Sequence, residues 1–174
     1  FNYTFNNDDS ADVPSNQFFH EKLKNKIVRT GWPMEYLEDA SKTTLIDDNV
    51  LEAKENVIVF PHRIAPEKQP DIFRDLATSM PQYEWIVCQY EKLTKDQYHT
   101  LLGQAKLVFS ANLQETLGIS MYEGALCNTT PLVPDRLSYS EMYSSIFKYP
   151  TEYTESWDSY LEYRQELMDA IEYH

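Results

Sequence analysis

No apolar run in this chain approaches the ~20 residues that cross a bilayer, and its opening lacks the basic, apolar and small-residue order of a secretion signal. A membrane span is therefore not expected. Basic residues are in deficit, with 15 Lys and Arg against 28 Asp and Glu and a formal charge of -13. Such a surface repels phosphate backbones, so no nucleic-acid groove is expected on this domain. Cysteine is rarer still: Cys88 and Cys127 each lie inside an apolar run. Buried thiols are the simpler reading of both, ahead of a disulfide or a nucleophile. They suit a reducing compartment, and a cytoplasmic location is the expectation. No internal repeat or low-complexity tract is visible. Apolar and aromatic residues are plentiful, 42% and 14% of 174 residues, enough for one buried core and against wholesale disorder.

Residues 1–16 are rich in Asn and Asp without period and read as loop. Residues 17–26 place Phe18, Phe19 and Leu23 on one side of a short amphipathic helix. An extended stretch broken by Gly31 and Pro33 follows, as at a hinge entering a new domain. Residues 1–26 are thus expected to be tail or linker, and 27–174 one domain. From residue 57 onward strand and helix patterns alternate. Strands are predicted at 57–60, 84–89, 107–109, 131–133 and 146–148. Helices are predicted at 70–79, 94–103, 118–127, 138–143 and 157–173, the second capped by Thr94 and ended by Gly103. This alternation predicts an α/β fold: a Rossmann-like parallel sheet with helices on both faces. Ligands in such folds bind beyond the carboxyl ends of the strands.

Two segments place chemistry on that rim. In Val57-Ile-Val-Phe-Pro-His-Arg63 a strand leads to an arginine, with Lys68 five positions on. Arg63 can grip phosphate oxygens with two prongs, and Lys68 can act as a mobile point charge. Alone, both also fit solvated surface charges. In Glu115-Thr-Leu-Gly-Ile-Ser-Met-Tyr-Glu123 two carboxylates bracket a glycine that opens a helix. The helix start offers N–H groups and partial positive charge to an anion, and Gly118 lets a ligand approach the backbone. Carboxylates suit sugar hydroxyls, since each accepts several hydrogen bonds. Glutamates on exposed helix faces are also common, so the spacing gains weight only with the glycine and the flanking strands.

These segments, with 93–110 and Thr130-Pro-Leu-Val133, occur in the order that resembles the nucleotide-sugar-binding C-terminal domain of GT-B glycosyltransferases, the retaining family 4 type above all. The resemblance covers residues 27–143. It implies that Arg63 and Lys68 hold the donor diphosphate and stabilise the departing nucleotide, with Glu115 completing the catalytic set. Glu115 would bind donor-sugar hydroxyls near the backbone N–H groups of Gly118 and Ile119, Glu123 the ribose, and Leu93 with its neighbours the base. It further implies a nucleoside-diphosphate sugar as donor substrate, no other cofactor, and transfer without metal; no Asp-x-Asp triplet is present. Where the family commonly has glycine after the helix this chain has Asn128, which tolerates left-handed backbone. Residues 1–26 would be the tail of a missing N-terminal acceptor lobe, so the chain alone would bind donor and transfer poorly or not at all. Pro61-His-Arg63, Pro70 and residues 134–141 are similar to the C-terminal half of the tRNA-queuosine mannosyltransferases, although phage and bacterial relatives of family 4 share such features. The alternatives are a sugar-nucleotide epimerase or phosphorylase on the same fold, or a non-catalytic Rossmann-like or flavodoxin-like module. A receiver-type module needs an acidic pocket after the first strand, where Pro61, His62 and Arg63 stand.

Overall fold

The computed structural model describes residues 54–174. The expected loop, helix and hinge before residue 54, and the boundary at 26/27, lie outside the described residues. Five strands, β1 (Glu55–Phe60), β2 (Glu84–Val87), β3 (Ala105–Phe109), β4 (Thr130–Pro134) and β5 (Lys148–Tyr149), form a sheet in the order β2-β1-β3-β4-β5. All four pairings are parallel. The fold is therefore the α/β, Rossmann-like parallel sheet expected.

Side-chain alternation along β1 explains the two covered faces. Ile58 and Phe60 enter one core with Ile72, Phe73 and Leu76 of α1 (Pro70–Ser79). Val57 and Val59 enter the other with Leu102 of α3 (Lys95–Gln104) and Met121 of α4 (Ile119–Leu126). A strand apolar on both sides cannot sit at a wet edge, so β1 and β3 take the centre. α1 starts where Pro70 has no N–H to lose, and the left-handed Gln69 precedes it. α3 starts at a capping box, with Thr94 accepting from the Gln97 N–H and Gln97 answering back. α4 lies close on the sheet because Gly124 has no side chain: a Cβ there would stand 2.6 Å from Val108 Cγ1.

Several boundaries differ from the sequence reading. Strand β2 stops at Val87, and Cys88–Glu91 turns into a short helix, α2, ended by Lys92 at φ 49°. Gly103 does not end α3, which runs to Gln104 and passes directly into β3. Residues predicted as the start of β5 form the 3-10 turn Ser145–Phe147, and α5 is only Tyr139–Met142. The expected long final helix is two: α6 (Trp157–Glu162), capped by the Ser156 side chain, and α7 (Arg164–Tyr173). Tyr163 sits between them and stacks on Tyr153, centroids 5.0 Å apart. Of the apolar stripe expected on that helix, Tyr160, Leu167 and Ile171 reach the core and Met168 packs against it, while Leu161 is exposed. Asn128 does take the left-handed backbone expected of it, at φ 59°. Among the described residues no helix is long and apolar enough to cross a membrane.

Candidate functional site at the β1/β3 switch point

With the order β2-β1-β3, the chain leaves β1 toward one side of the sheet and returns on the other. The loops after β1 and β3 diverge there and open a crevice at their carboxyl ends, the usual ligand position in doubly wound folds. The loop after β1 carries Pro61 to Lys68; the loop after β3 carries Ser110 to Gly118.

Lys68 closes the 3-10 turn Pro66–Lys68 and crosses to the other loop. Its Nζ donates to Gln114 O at 2.9 Å and to Glu115 Oε2 at 3.0 Å. The two side chains are 11% and 18% exposed, so water screens the pair weakly. Glu115 Oε2 also accepts from Asn112 Nδ2 at 3.0 Å, and Oε1 accepts from the Thr116 N–H at 2.9 Å. Burial pushes the Glu115 carboxyl up, but Lys68 and the Thr116 and Gly118 N–H groups outweigh it and hold its pKa below the ordinary value. Glu115 is thus an ionised, already hydrogen-bonded acceptor. Lys68 has two of three ammonium protons committed, leaving one for an incoming oxygen.

Gly118 precedes α4 in left-handed backbone, φ 73°. Here the reason expected for the glycine needs correction. A Cβ at this position would stand 2.3 Å from Tyr139 Cε1, so the aromatic ring of α5, rather than a ligand, occupies the space a side chain would fill. The Gly118 N–H, expected to face an anion, is taken by the Glu115 carboxylate. Tyr139 OH lies 3.1 Å from Asn112 Nδ2 and 3.3 Å from Ser110 Oγ, which ties α5 to the β3 loop. Ile119 is the first residue of α4 and is half-buried.

A cleft of about 260 Å³ lies between the β1 loop, with Pro61, His62 and Arg63, and the segment after β2, with Cys88, Gln89, Leu93 and Tyr98; Lys68 and Glu115 do not line it and are felt there through His62. Arg63 is exposed and its Nη2 donates to Glu67 Oε1. Leu93 lines the same cleft as Arg63, while Glu123 lies further back on α4, with Oε1 3.7 Å from His99 Nε2. Tyr98, also a lining residue, is hydrogen-bonded to Glu123, and its hydroxyl pKa is raised by burial and by that carboxylate. Burial pushes the Cys88 thiol up to about 12, which removes it as a thiolate nucleophile near neutral pH. Neither cysteine is in a disulfide. Among the described residues no group of three His, Cys, Asp or Glu side chains is placed to hold a metal ion.

His62 joins the two halves. Its Nδ1 lies 3.3 Å from Ser120 Oγ in the first turn of α4, and its ring lines the cleft. Burial, with the Lys68 charge, lowers its pKa from 6.5 to about 3, against a smaller opposing pull from Glu115. The folded protein therefore holds His62 neutral while the unfolded chain takes up a proton first as pH falls. This contribution to stability is complete above pH 6.5 and is lost as pH drops toward about 3. Between pH 7 and 5 the loss from this one group is expected to reach about 2 kcal/mol. Urea unfolding at both pH values, with His62→Gln as reference, checks this: the variant should lose that share of the slope.

Of the residues proposed from sequence, Lys68 and Glu115 meet directly, and Gly118 and Ile119 adjoin them at the start of α4. Arg63 and Leu93 share the neighbouring cleft; Glu123 stands behind its Tyr98 wall. Asn112 had no sequence signal, and Arg136 and Tyr139 fell inside the 134–141 segment without a role; each is tied to the site by a contact across at least 24 positions.

The geometry defines a class, a Rossmann-like α/β domain with a polar crevice at its switch point. Sequence comparison gives that class a relative. The chain is 24% identical over 123 residues to a tRNA-queuosine alpha-mannosyltransferase of Drosophila melanogaster, a match covering 71% of this chain. It spans 32% of that relative's length, about a third. No family model matches the chain. The similarity is distant and links the domain to a glycosyltransferase, and the parallel sheet is consistent with one GT-B lobe.

Proposed function

We propose that this domain is the donor-binding half of a glycosyltransferase of the family 4 type, taking a nucleoside-diphosphate sugar and transferring the sugar with retention and without metal. The observation that carries the reading is the weakly screened Lys68–Glu115 pair at the β1/β3 rim, linked through His62 to a cleft of about 260 Å³ that holds Arg63. A departing nucleoside diphosphate gains negative charge in the transition state, and cations already fixed in a partly dry crevice stabilise it without reorganising. Lys68 and Arg63 supply that charge, and Glu115 offers its carboxylate to sugar hydroxyls. Gly118 and Ile119 bring the start of α4 against the sugar. Leu93 gives the base an apolar wall, and Glu123 reaches the ribose past Tyr98.

The acceptor lobe lies elsewhere in the protein, and transfer requires it. The name of the Drosophila relative suggests a tRNA acceptor. With a charge of -13 this domain repels such a substrate, so nucleic-acid contacts would fall to the other lobe. A cytoplasmic location suits that chemistry. Isothermal titration of the protein with UDP, GDP and ADP tests the reading. One of them should bind saturably, and Arg63→Ala and Glu123→Ala should each weaken it about tenfold, the loss of one good hydrogen bond. A folded protein that binds none of the three would count against it.

A further inference from the structure

Arg136, in the turn after β4, spends its guanidinium on backbone carbonyls and two threonine hydroxyls. Nε donates to Asn112 O at 2.8 Å; Nη2 donates to Ala111 O at 3.1 Å, Thr154 O at 3.1 Å and Thr154 Oγ1 at 2.7 Å. Nη1 donates to Thr151 O at 3.1 Å. The Gln69 side-chain amide reaches two of the same oxygens, Ala111 O and Thr154 O, each at 2.6 Å. One knot of hydrogen bonds thus fixes the residue that follows Lys68 and the backbone that leads to Glu115. Asn112, held through its carbonyl by Arg136, is fully buried and passes the constraint on: its Nδ2 donates to Glu115 Oε2. A guanidinium desolvated against carbonyls is a costly way to build an ordinary turn. The turn itself is strained, since Leu137 follows at φ 57°, a conformation bulky residues avoid.

We infer that Arg136 is a positioning residue: acting through Asn112, and together with Gln69, it sets the Glu115 carboxylate and the Lys68 ammonium in register at the rim. Strand β4 and the loop carrying Thr151 and Thr154 are thereby part of the site although they do not touch a ligand. The groups facing the Glu115 carboxylate are Lys68, His62 and Tyr139. Neither they nor the Asn112 amide that donates to Glu115 is removed by a change at position 136 or 69, so a shift in Glu115 reports its placement.

The test is the carbon-13 carboxyl titration of Glu115 in the intact protein, for Arg136→Met and, should that variant fold poorly, for Gln69→Ala, which loosens the same knot without removing a donor to Glu115. Both are expected to raise the Glu115 pKa by about one unit through slackening of the Asn112 and Lys68 contacts. Arg136→Lys, which keeps one donor, should recover part of the shift. The companion measurement is the affinity for the nucleoside diphosphate that binds best, expected to fall about tenfold in each variant; this half rests on the donor-binding reading. Variants that lose stability but leave the Glu115 titration unchanged would reduce Arg136 to a structural clamp and overturn the inference. A raised Glu115 pKa in a protein that binds no nucleotide would uphold the positioning and sink the donor reading instead.

Discussion

Gly118→Ala is expected to lower the unfolding free energy by about 2–5 kcal/mol. Left-handed backbone costs a residue with a Cβ about 1–2 kcal/mol. The new methyl would meet Tyr139 Cε1 at 2.3 Å, and forcing a ring aside in a packed core costs about 1–3 kcal/mol more. The ring has little room to yield. Tyr139 is fully buried and its hydroxyl is held between Asn112 and Ser110. The two penalties can be separated by adding Tyr139→Leu, which relieves the overlap but not the backbone strain. Denaturant unfolding of the four proteins should give a coupling of about 1 kcal/mol or more, the double variant losing less than the sum. Additive losses would mean that the ring does not dictate the glycine.

Lys68→Met should abolish measurable nucleoside-diphosphate binding, a loss of about 100-fold or more. A charge-assisted hydrogen bond in a weakly screened crevice is worth about 1.5–3 kcal/mol, and the local charge turns negative once Glu115 stands alone. The same variant is expected to destabilise the fold by about 2–4 kcal/mol, because it strands a carboxylate that is 18% exposed. Stability and binding can be told apart. Adding Glu115→Gln removes the stranded charge, so the double variant should regain most of the stability and none of the binding. If binding returned with stability, Lys68 would be acting on the fold alone.

The sheet was legible because β1, β3 and β4 are short apolar runs buried on both faces, and each reads as such without tertiary information. α1 was legible to the residue, from Pro70 and the spacing of Ile72, Phe73 and Leu76. Illegible boundaries share a cause: a contact from elsewhere decides them. Gly103 signals a helix end, but the helix runs on to Gln104 and Ala105 already pairs in β3, so no loop was needed. The final helix breaks at Tyr163, where Tyr160 OH and Arg164 Nε both reach Asp75 Oδ2, at 2.5 and 2.7 Å, from opposite sides of the kink. The strand, the cations and the Glu–x7–Glu spacing could be read one segment at a time. The site's support could not, since Arg136 reaches Asn112 across 24 positions and Gln69 reaches Thr154 across 85. Gly118 shows the limit from the other side: its position was read correctly, but its reason is an aromatic ring rather than a ligand.

The central claim is that a nucleoside diphosphate, the common part of every such sugar donor, lies in the crevice between the β1 and β3 loops. Backbone amide shifts recorded while the nucleotide is titrated into the nitrogen-15-labelled protein test it most directly. The account predicts saturable changes centred on Arg63, Lys68, Leu93, Glu115, Gly118 and Ile119, with the far ends of the strands silent. Saturable changes confined to another surface, or none at millimolar nucleotide, would contradict it.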